Sequence, residues 1–377
     1  MTTNKKNKPR LIDEFEEEPV EDVDEAAEVI PFTYSITSYG ADYPVDALVK
    51  RIDEKGIIVP TFGRQPTNES DIVGFQREYV WSRQIADRFI ESLLLGLPVP
   101  GIFLVKEPSG VFLVLDGYQR LFTLQAFYHG LIHGREYRLE NVQERFVGKR
   151  YRDLDPEDRR RLDDSIIHAT VVRQDEQTED QSSIYLIFER LNTGGVNLQP
   201  QEIRVALYHG ELVRVLRELN DNTAWRALWG AKSKRLKDIE LILRFFAFYY
   251  QAAKYKSPMK DFLNHYMAAN RHLERQSEKQ LRDLFEKTVS VIQKNIGPRA
   301  FRPIRAVNAA VIDSLMVGVA KRIFEKGDIK NASLMKEQYD KLMKTKEYLA
   351  AIETGTSQEA NVQTRLRHAQ DIFRGVR

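Results

Sequence analysis

The hydrophobic pattern of the chain changes near residue 210, and this change constrains the fold more than any other feature of the sequence. Between about residues 31 and 210, short runs rich in Val, Ile and Phe are mixed with amphipathic helical stretches. From residue 211 to 377 the pattern predicts one helix after another. We therefore expect an α+β domain with a mixed sheet and helices over residues 31–210, followed by a mainly α-helical domain over residues 211–377.

Cap and turn signals divide the chain into short elements. Ser82 precedes apolar residues at four-residue spacing, and Gly96 and Pro98 follow them, so a helix from Ser82 to Leu95 is predicted. A further helix is predicted over Ser182–Leu191. The predicted strands are Ile57–Phe62, Gly101–Lys106, Val111–Leu115 and Ile166–Arg173. The predicted helices of the second part lie near residues 211–219, 238–254, 259–270, 278–295, 303–326, 332–352 and 358–374.

Charge is distributed unevenly along the chain. Residues 1–30 hold four Lys/Arg and ten Asp/Glu, whereas residues 231–377 hold 29 Lys/Arg and 16 Asp/Glu. The acidic stretch is predicted to be a disordered, solvated tail. The basic part suits contact with DNA, because neutralising phosphates releases condensed counterions. Lysines that merely solvate the outer faces of amphipathic helices are the alternative.

Two absences exclude whole classes of chemistry. The chain has no cysteine, which excludes disulfides, zinc-thiolate sites, iron-sulfur clusters and a thiol nucleophile. Its most apolar run, LILRFFAFYY, is too short to span a bilayer and contains Arg244. We expect a cytoplasmic protein without a membrane partner. Because an unpaired charge in an apolar helix is costly, we also expect Glu240 or another acid to neutralise Arg244.

The segment around residue 117 combines residue types that bind phosphate. Gly117, between a predicted strand and a predicted helix from Tyr118 to Tyr128, lets the backbone approach a ligand closely. The amino terminus of that helix offers unpaired amides and a positive dipole end. The guanidinium group of Arg120 can bind phosphate oxygens with two hydrogen bonds, and Asp116 can hold Mg²⁺ or orient a water molecule. An ordinary turn with a surface arginine is the structural alternative.

Several segments must be considered together: the Phe75–Trp81 motif, the Ile90–Pro100 helix exit, the Asp116–Arg120 turn, and the stretches Phe188–Gly195 and Leu236–Phe245. Their combination resembles the N-terminal domain of GmrSD-type restriction endonucleases, which belongs to the ParB/sulfiredoxin-like superfamily. The resemblance covers about residues 55–300. It implies a ParB/sulfiredoxin-like mixed sheet and a sensor or regulator in prokaryotic defence against phage or foreign DNA.

In that family an Asp-Gly-Gln-Gln-Arg motif is associated with binding and hydrolysis of a nucleotide, which controls an attached nuclease. Asp116, Gly117, Gln119 and Arg120 keep the pattern, and Tyr118 stands where the family has its first Gln. The resemblance therefore implies a nucleoside triphosphate with Mg²⁺ on Asp116, and Asp116 and Gln119 as catalytic residues. The implied nucleotide or phosphate contacts are Arg77, Gly117, Tyr118, Arg120 and Asn192.

Two interpretations of Tyr118 are open at this point. If its side chain reaches the ligand, hydrolysis should be slow, because a phenol positions water differently from a Gln amide. If it points into the domain, it should pack against Phe122 or Phe127 and serve the fold.

Related defence proteins often carry a C-terminal HNH nuclease, which requires closely placed histidines around a metal. In the last 100 residues of this chain His368 is the only histidine, so we expect any cutting to come from a separate effector chain. Two other functions remain open: a non-catalytic DNA-binding or partner-binding protein, and a nuclease that cuts through the same pocket. The sequence leaves the oligomeric state open, a homo-oligomer included.

Overall fold

The chain folds as two units, seen here in a computed structural model. It describes residues 36–58, 79, 81–174, 182–191, 198–303, 306–327, 329 and 331–376. In this part of the chain, residues 36–214 and 264–274 form one compact unit, the sheet unit, and residues 215–263 and 275–376 form the other, the helical unit. The predicted α+β class with a mainly helical second part is confirmed.

The described strands form a large mixed sheet and a small hairpin. Their bounds are β1 Ile36–Pro44, β2 Ile57–Ile58, β3 Ile102–Lys106, β4 Phe112–Asp116, β5 Leu131–Ile132, β6 Arg135–Glu136 and β7 Ile166–Gln174. The large sheet has the order β1-β7-β3-β4-β2. The pairs β1–β7 and β3–β4 are antiparallel, whereas β3–β7 and β2–β4 are parallel. Strands β5 and β6 pair only with each other in this part of the chain.

Helices pack against strands in the sheet unit and make up the helical unit. From the amino end to the loop after residue 207 they are α1 Val45–Asp53, α2 Arg83–Leu94, α3 Tyr118–His129, α4 Pro156–Asp163, α5 Ser182–Leu191 and α6 Pro200–Leu207. The others are α7 Glu211–Leu219, α8 Thr223–Trp229, α9 Lys237–Gln251, α10 Met259–Ala268, α11 Glu278–Asn295, α12 Ala309–Lys326, α13 Ala332–Leu342, α14 Lys346–Glu353 and α15 Glu359–Arg374.

Local sequence signals explain several of these bounds. Ser82 caps α2, because its Oγ accepts a hydrogen bond from the Ile85 amide at 3.4 Å. Helix α5 has the predicted bounds. The single helix predicted over residues 332–352 is wrong: α13 and α14 are separate, because Thr345 takes an extended backbone between them. Of the strand predicted at Ile57–Phe62, β2 gives the first two residues, and the others lie outside the described residues.

The core of the sheet unit holds α3 against the sheet. Leu104 of β3 and Val114 of β4 are buried together with Leu121 and Leu124 of α3 and Ile90 of α2. Burial of such side chains stabilises a fold by about 1.5–3 kcal/mol each. Since α3 starts directly after β4, this packing fixes the position of the turn between them.

The helical unit is organised around α12. Most residues of α12 are buried, and it packs against α9, α11 and α15. A Cβ atom at Gly318 would lie 2.8 Å from the backbone carbonyl of Ala369, so the glycine permits close approach of α12 and α15. Within the described ranges, no helix is both long enough and apolar enough to cross a bilayer.

Candidate functional site

The junction between β4 and α3 is built on Gly117. This residue has φ 101° and ψ 8°, a left-handed conformation that favours glycine. A Cβ atom here would lie 2.4 Å from Cγ2 and 2.9 Å from Cβ of Ile102 in β3. Because Gly117 has no side chain to cap α3, the amino-terminal amides of the helix are not satisfied by the cap residue. This is the backbone arrangement that binds anions at helix amino termini.

Substituting Gly117 with alanine is expected to lower the free energy of unfolding by about 2 to 4 kcal/mol, because strain at positive φ adds to the clash with Ile102. Gly110 is a matched control: it has φ 86°, and a Cβ atom there would have nothing within 4 Å. Gly110→Ala should therefore lower the free energy of unfolding by only about 1 kcal/mol. Equal melting temperatures for the two variants would show that Ile102 does not restrict the turn.

Asp116 and Arg120 lie on either side of this turn and form an ion pair. Arg120 Nη2 donates to Asp116 Oδ2 at 2.7 Å, and the exposed fractions of the two side chains are 14% for Arg120 and 42% for Asp116. The Nε of Arg120 is buried and has no hydrogen-bond partner among the described residues. The carboxylate thus orients a guanidinium beside the amino terminus of α3, where an incoming phosphate could bind it.

Gln119 contributes to the position of the chain before α2. Its Oε1 accepts a hydrogen bond from the Trp81 amide at 3.4 Å. Nearby, the hydroxyl groups of Tyr79 and Thr123 are hydrogen-bonded at 2.8 Å, and the Trp81 ring lies 5.5 Å from that of Phe89. Tyr79 and Trp81 therefore pack against the core, and each is hydrogen-bonded to a residue of α3.

Tyr118 points into the sheet unit. The residue is 4% exposed, and its ring lies 5.9 Å from that of Phe122. Burial raises the pKa of the Tyr118 hydroxyl well above its ordinary value. That hydroxyl has no hydrogen-bond partner in the part of the chain that the structure describes. The placement favours the packing alternative for Tyr118 over contact with a ligand.

Tyr118→Phe is accordingly expected to raise the free energy of unfolding by about 1 kcal/mol, because it removes a buried hydroxyl without a partner. Tyr128→Phe is the matched control, since the Tyr128 hydroxyl donates to Asp163 Oδ1 at 2.6 Å and its loss should destabilise by about 1 to 2 kcal/mol. Thermal melts measure both changes. A weaker nucleotide affinity of Tyr118→Phe would contradict the packing assignment and place the hydroxyl at the ligand.

Two of the seven predicted catalytic and contact residues, Arg77 and Asn192, lie outside the described residues. The other five, Asp116 to Arg120, lie together on the β4–α3 turn because they are consecutive in sequence. Sequence reasoning missed Ile102, whose side chain packs under Gly117, because no local signal connects the two positions.

The donor set can be compared with the needs of Mg²⁺. Within the described ranges, no three His, Asp or Glu side chains are grouped to hold a metal ion. Magnesium in phosphate-binding sites commonly takes one or two carboxylates and obtains its other ligands from phosphate and water. The half-exposed carboxylate of Asp116 fits that role, since its second oxygen, Oδ1, accepts no hydrogen bond from the described residues.

Comparison with known proteins gives one family. Residues 57–209 match the family model of the GmrSD restriction endonuclease, N-terminal domain. The matched range includes β3, β4, α3 and the whole turn from Asp116 to Arg120. The chain matches no curated protein and no solved structure.

Proposed function

We propose that this chain, which carries a GmrSD restriction endonuclease N-terminal domain over residues 57–209, binds a nucleoside triphosphate with Mg²⁺ at the β4–α3 turn. The domain supports a role in restriction and phage defence. In this role the chain acts in the cytoplasm as a sensor or regulator, and a separate effector chain cuts the foreign DNA. Binding and hydrolysis of the nucleotide would set the state of that effector.

One observation carries the proposal: Asp116, Gly117 and Arg120 are held together at the amino terminus of α3. Gly117 has a conformation and a close contact with Ile102 that exclude larger residues. The Asp116–Arg120 ion pair of 2.7 Å places a guanidinium beside this turn. A helix amino terminus and an arginine fork are both favourable for phosphate, and the family match covers this turn.

Each residue then has a distinct part. Arg120 binds phosphate oxygens, and the amino-terminal amides of α3 contribute further donors. Asp116 would hold Mg²⁺, which when bound neutralises phosphate charge and aligns the phosphoryl group. Gln119 orients the ligand, and its side chain also accepts a hydrogen bond from the Trp81 amide. Tyr118 supports the turn from inside the domain, where it packs beside Phe122 and does not position water.

Calorimetric titration of the full chain with the four ribonucleoside triphosphates, with and without Mg²⁺, tests this proposal. We expect binding of at least one triphosphate that is stronger with Mg²⁺, accompanied by release of phosphate. Inorganic tripolyphosphate serves as a control for the phosphate contacts alone. Absence of binding by every triphosphate would overturn the proposal and favour a DNA-binding or partner-binding function without a nucleotide. Nicking of DNA with Mg²⁺ alone would instead identify a nuclease.

A further inference from the structure

Aromatic rings and lysines lie together on one face of the helical unit. Phe324, near the end of α12, is 44% exposed, and Nζ of Lys287 from α11 lies 5.6 Å from the centre of its ring. Nζ of Lys321, one turn earlier in α12, lies 4.3 Å from the ring centre of Tyr249 in α9. The ring of Tyr250 meets that of Tyr249 edge-on at 4.9 Å. These five residues are called the aromatic–lysine surface below.

The two lysines of this surface form no close ion pair with a carboxylate of the described residues. Neither Lys287 nor Lys321 has an ion pair among the described residues. Asp283, one turn before Lys287, pairs with Lys279 at 2.7 Å, and Lys287 acts on it only from a longer distance. The two lysine charges rest on aromatic faces, which attract a cation more weakly than a carboxylate does. They therefore remain available to an anionic partner.

One carboxylate, that of Glu325, lies close to the aromatic–lysine surface. Burial raises the pKa of Tyr249, and the nearby carboxylate of Glu325 raises it further. Glu325 follows Phe324 directly and is exposed. It should oppose the approach of an anion to Lys321, so its removal provides a variant with the opposite expected effect.

We propose that the aromatic–lysine surface binds single-stranded DNA. An exposed aromatic ring can stack on an unpaired base, and lysines beside it can contact the adjacent phosphates. In duplex DNA the bases are already stacked on each other and cannot reach Phe324. Residues 231–377 carry 29 Lys/Arg against 16 Asp/Glu, so the wider field favours a polyanion. The choice of DNA over RNA rests on the proposed role in restriction, whereas binding itself does not depend on the nucleotide site.

Fluorescence anisotropy of the full chain with a labelled single strand and with a duplex of the same sequence tests the proposal at low salt without nucleotide. The single strand should bind more tightly. Phe324→Ala should weaken its binding by about five- to a hundredfold, because one stacked base is lost. Lys287→Gln and Lys321→Gln should each make the log–log salt slope shallower by about 0.7. Glu325→Gln should strengthen binding.

Lys336→Gln is the matched control, because Lys336 also lies over a ring, that of Tyr339 at 4.8 Å, but is paired with Asp340 at 2.8 Å. It should leave the affinity and the salt slope unchanged. The proposal is overturned if the single strand does not bind at low salt, if duplex binds equally well, or if Phe324→Ala binds like the original chain at an unchanged melting temperature. Tighter binding of the same RNA sequence overturns the choice of DNA.

Nucleotide titration of Phe324→Ala separates this proposal from the one at the β4–α3 turn. The variant should bind triphosphate like the original chain, and Arg120→Ala should bind single-stranded DNA like the original chain. If one of the two ligands does not bind, the binding of the other ligand can therefore still be tested.

Discussion

Replacing Arg120 with alanine is expected to lower the affinity for nucleoside triphosphate by about ten- to a hundredfold while the chain stays folded. The variant removes charge-assisted hydrogen bonds to phosphate, which contribute about 1.5–3 kcal/mol. Its partner Asp116 is 42% exposed, so loss of their ion pair should change the stability by less than about 1 kcal/mol. Calorimetric titration measures the affinity, and a thermal melt of the same sample reports on folding.

Arg161→Ala provides the control for this prediction. Arg161 forms an ion pair with Glu157 at 3.1 Å, also at i,i+4 spacing and in the same unit, but far in sequence from the turn at Gly117. It should bind nucleotide normally. An Arg120→Ala chain that binds as tightly as this control would remove Arg120 from the site.

How well the sequence predicts the fold depends on whether the signal is local. Helix α2 is predicted because a capping serine, regular apolar spacing and a terminating glycine all lie within its own residues or next to them. Strand β1 is not predicted, since Thr37 to Gly40 are exposed on both faces and show no alternation. It forms because it pairs with β7, and this partner lies more than 100 residues away in sequence. Pairing at that distance leaves no pattern in a short window.

The same distinction holds for the candidate site. The chemistry of Asp116, Gly117 and Arg120 can be predicted because their spacing places them on one turn. The contact of Ile102 with Gly117 depends on the register of β3 with β4, including an irregularity between Phe103 and Leu104. The aromatic–lysine surface combines side chains of three helices that are distant in sequence, so its composition is visible only in the folded chain.

Arg244 shows what sequence reasoning can and cannot give. The expectation that an acid neutralises it is confirmed, because Asp313 accepts from its Nη2 at 2.7 Å and from its Nε at 3.2 Å. This acid lies 69 residues away on α12. The need for a counter-charge follows from the cost of a buried cation, but its position follows from how α9 packs on α12.

Asp313→Asn is expected to destabilise the helical unit by about 3 to 5 kcal/mol. The carboxylate is fully buried and also accepts from Nη2 of Arg365 at 3.0 Å, so it serves two guanidinium groups at once. Burial lowers the pKa of Arg365, because the charged form has lost its water. An amide in place of Asp313 keeps the shape but removes the negative charge that both buried guanidinium groups contact. The helical unit should then unfold at clearly lower urea concentration.

Urea unfolding followed by tryptophan fluorescence measures this effect. The chain has three tryptophans, and Trp225 and Trp229 are buried in the helical unit. In a Trp81→Phe background the signal therefore comes from that unit alone. Asp283→Asn is the control: Asp283 pairs with Lys279 at 2.7 Å at the surface, so its loss should change the stability by less than about 0.5 kcal/mol. The prediction is contradicted if the urea midpoint of Asp313→Asn equals that of the control. The two guanidinium groups would then keep their hydration in the folded chain, and the ion pairs of Asp313 would not stabilise the packing of α9, α12 and α15.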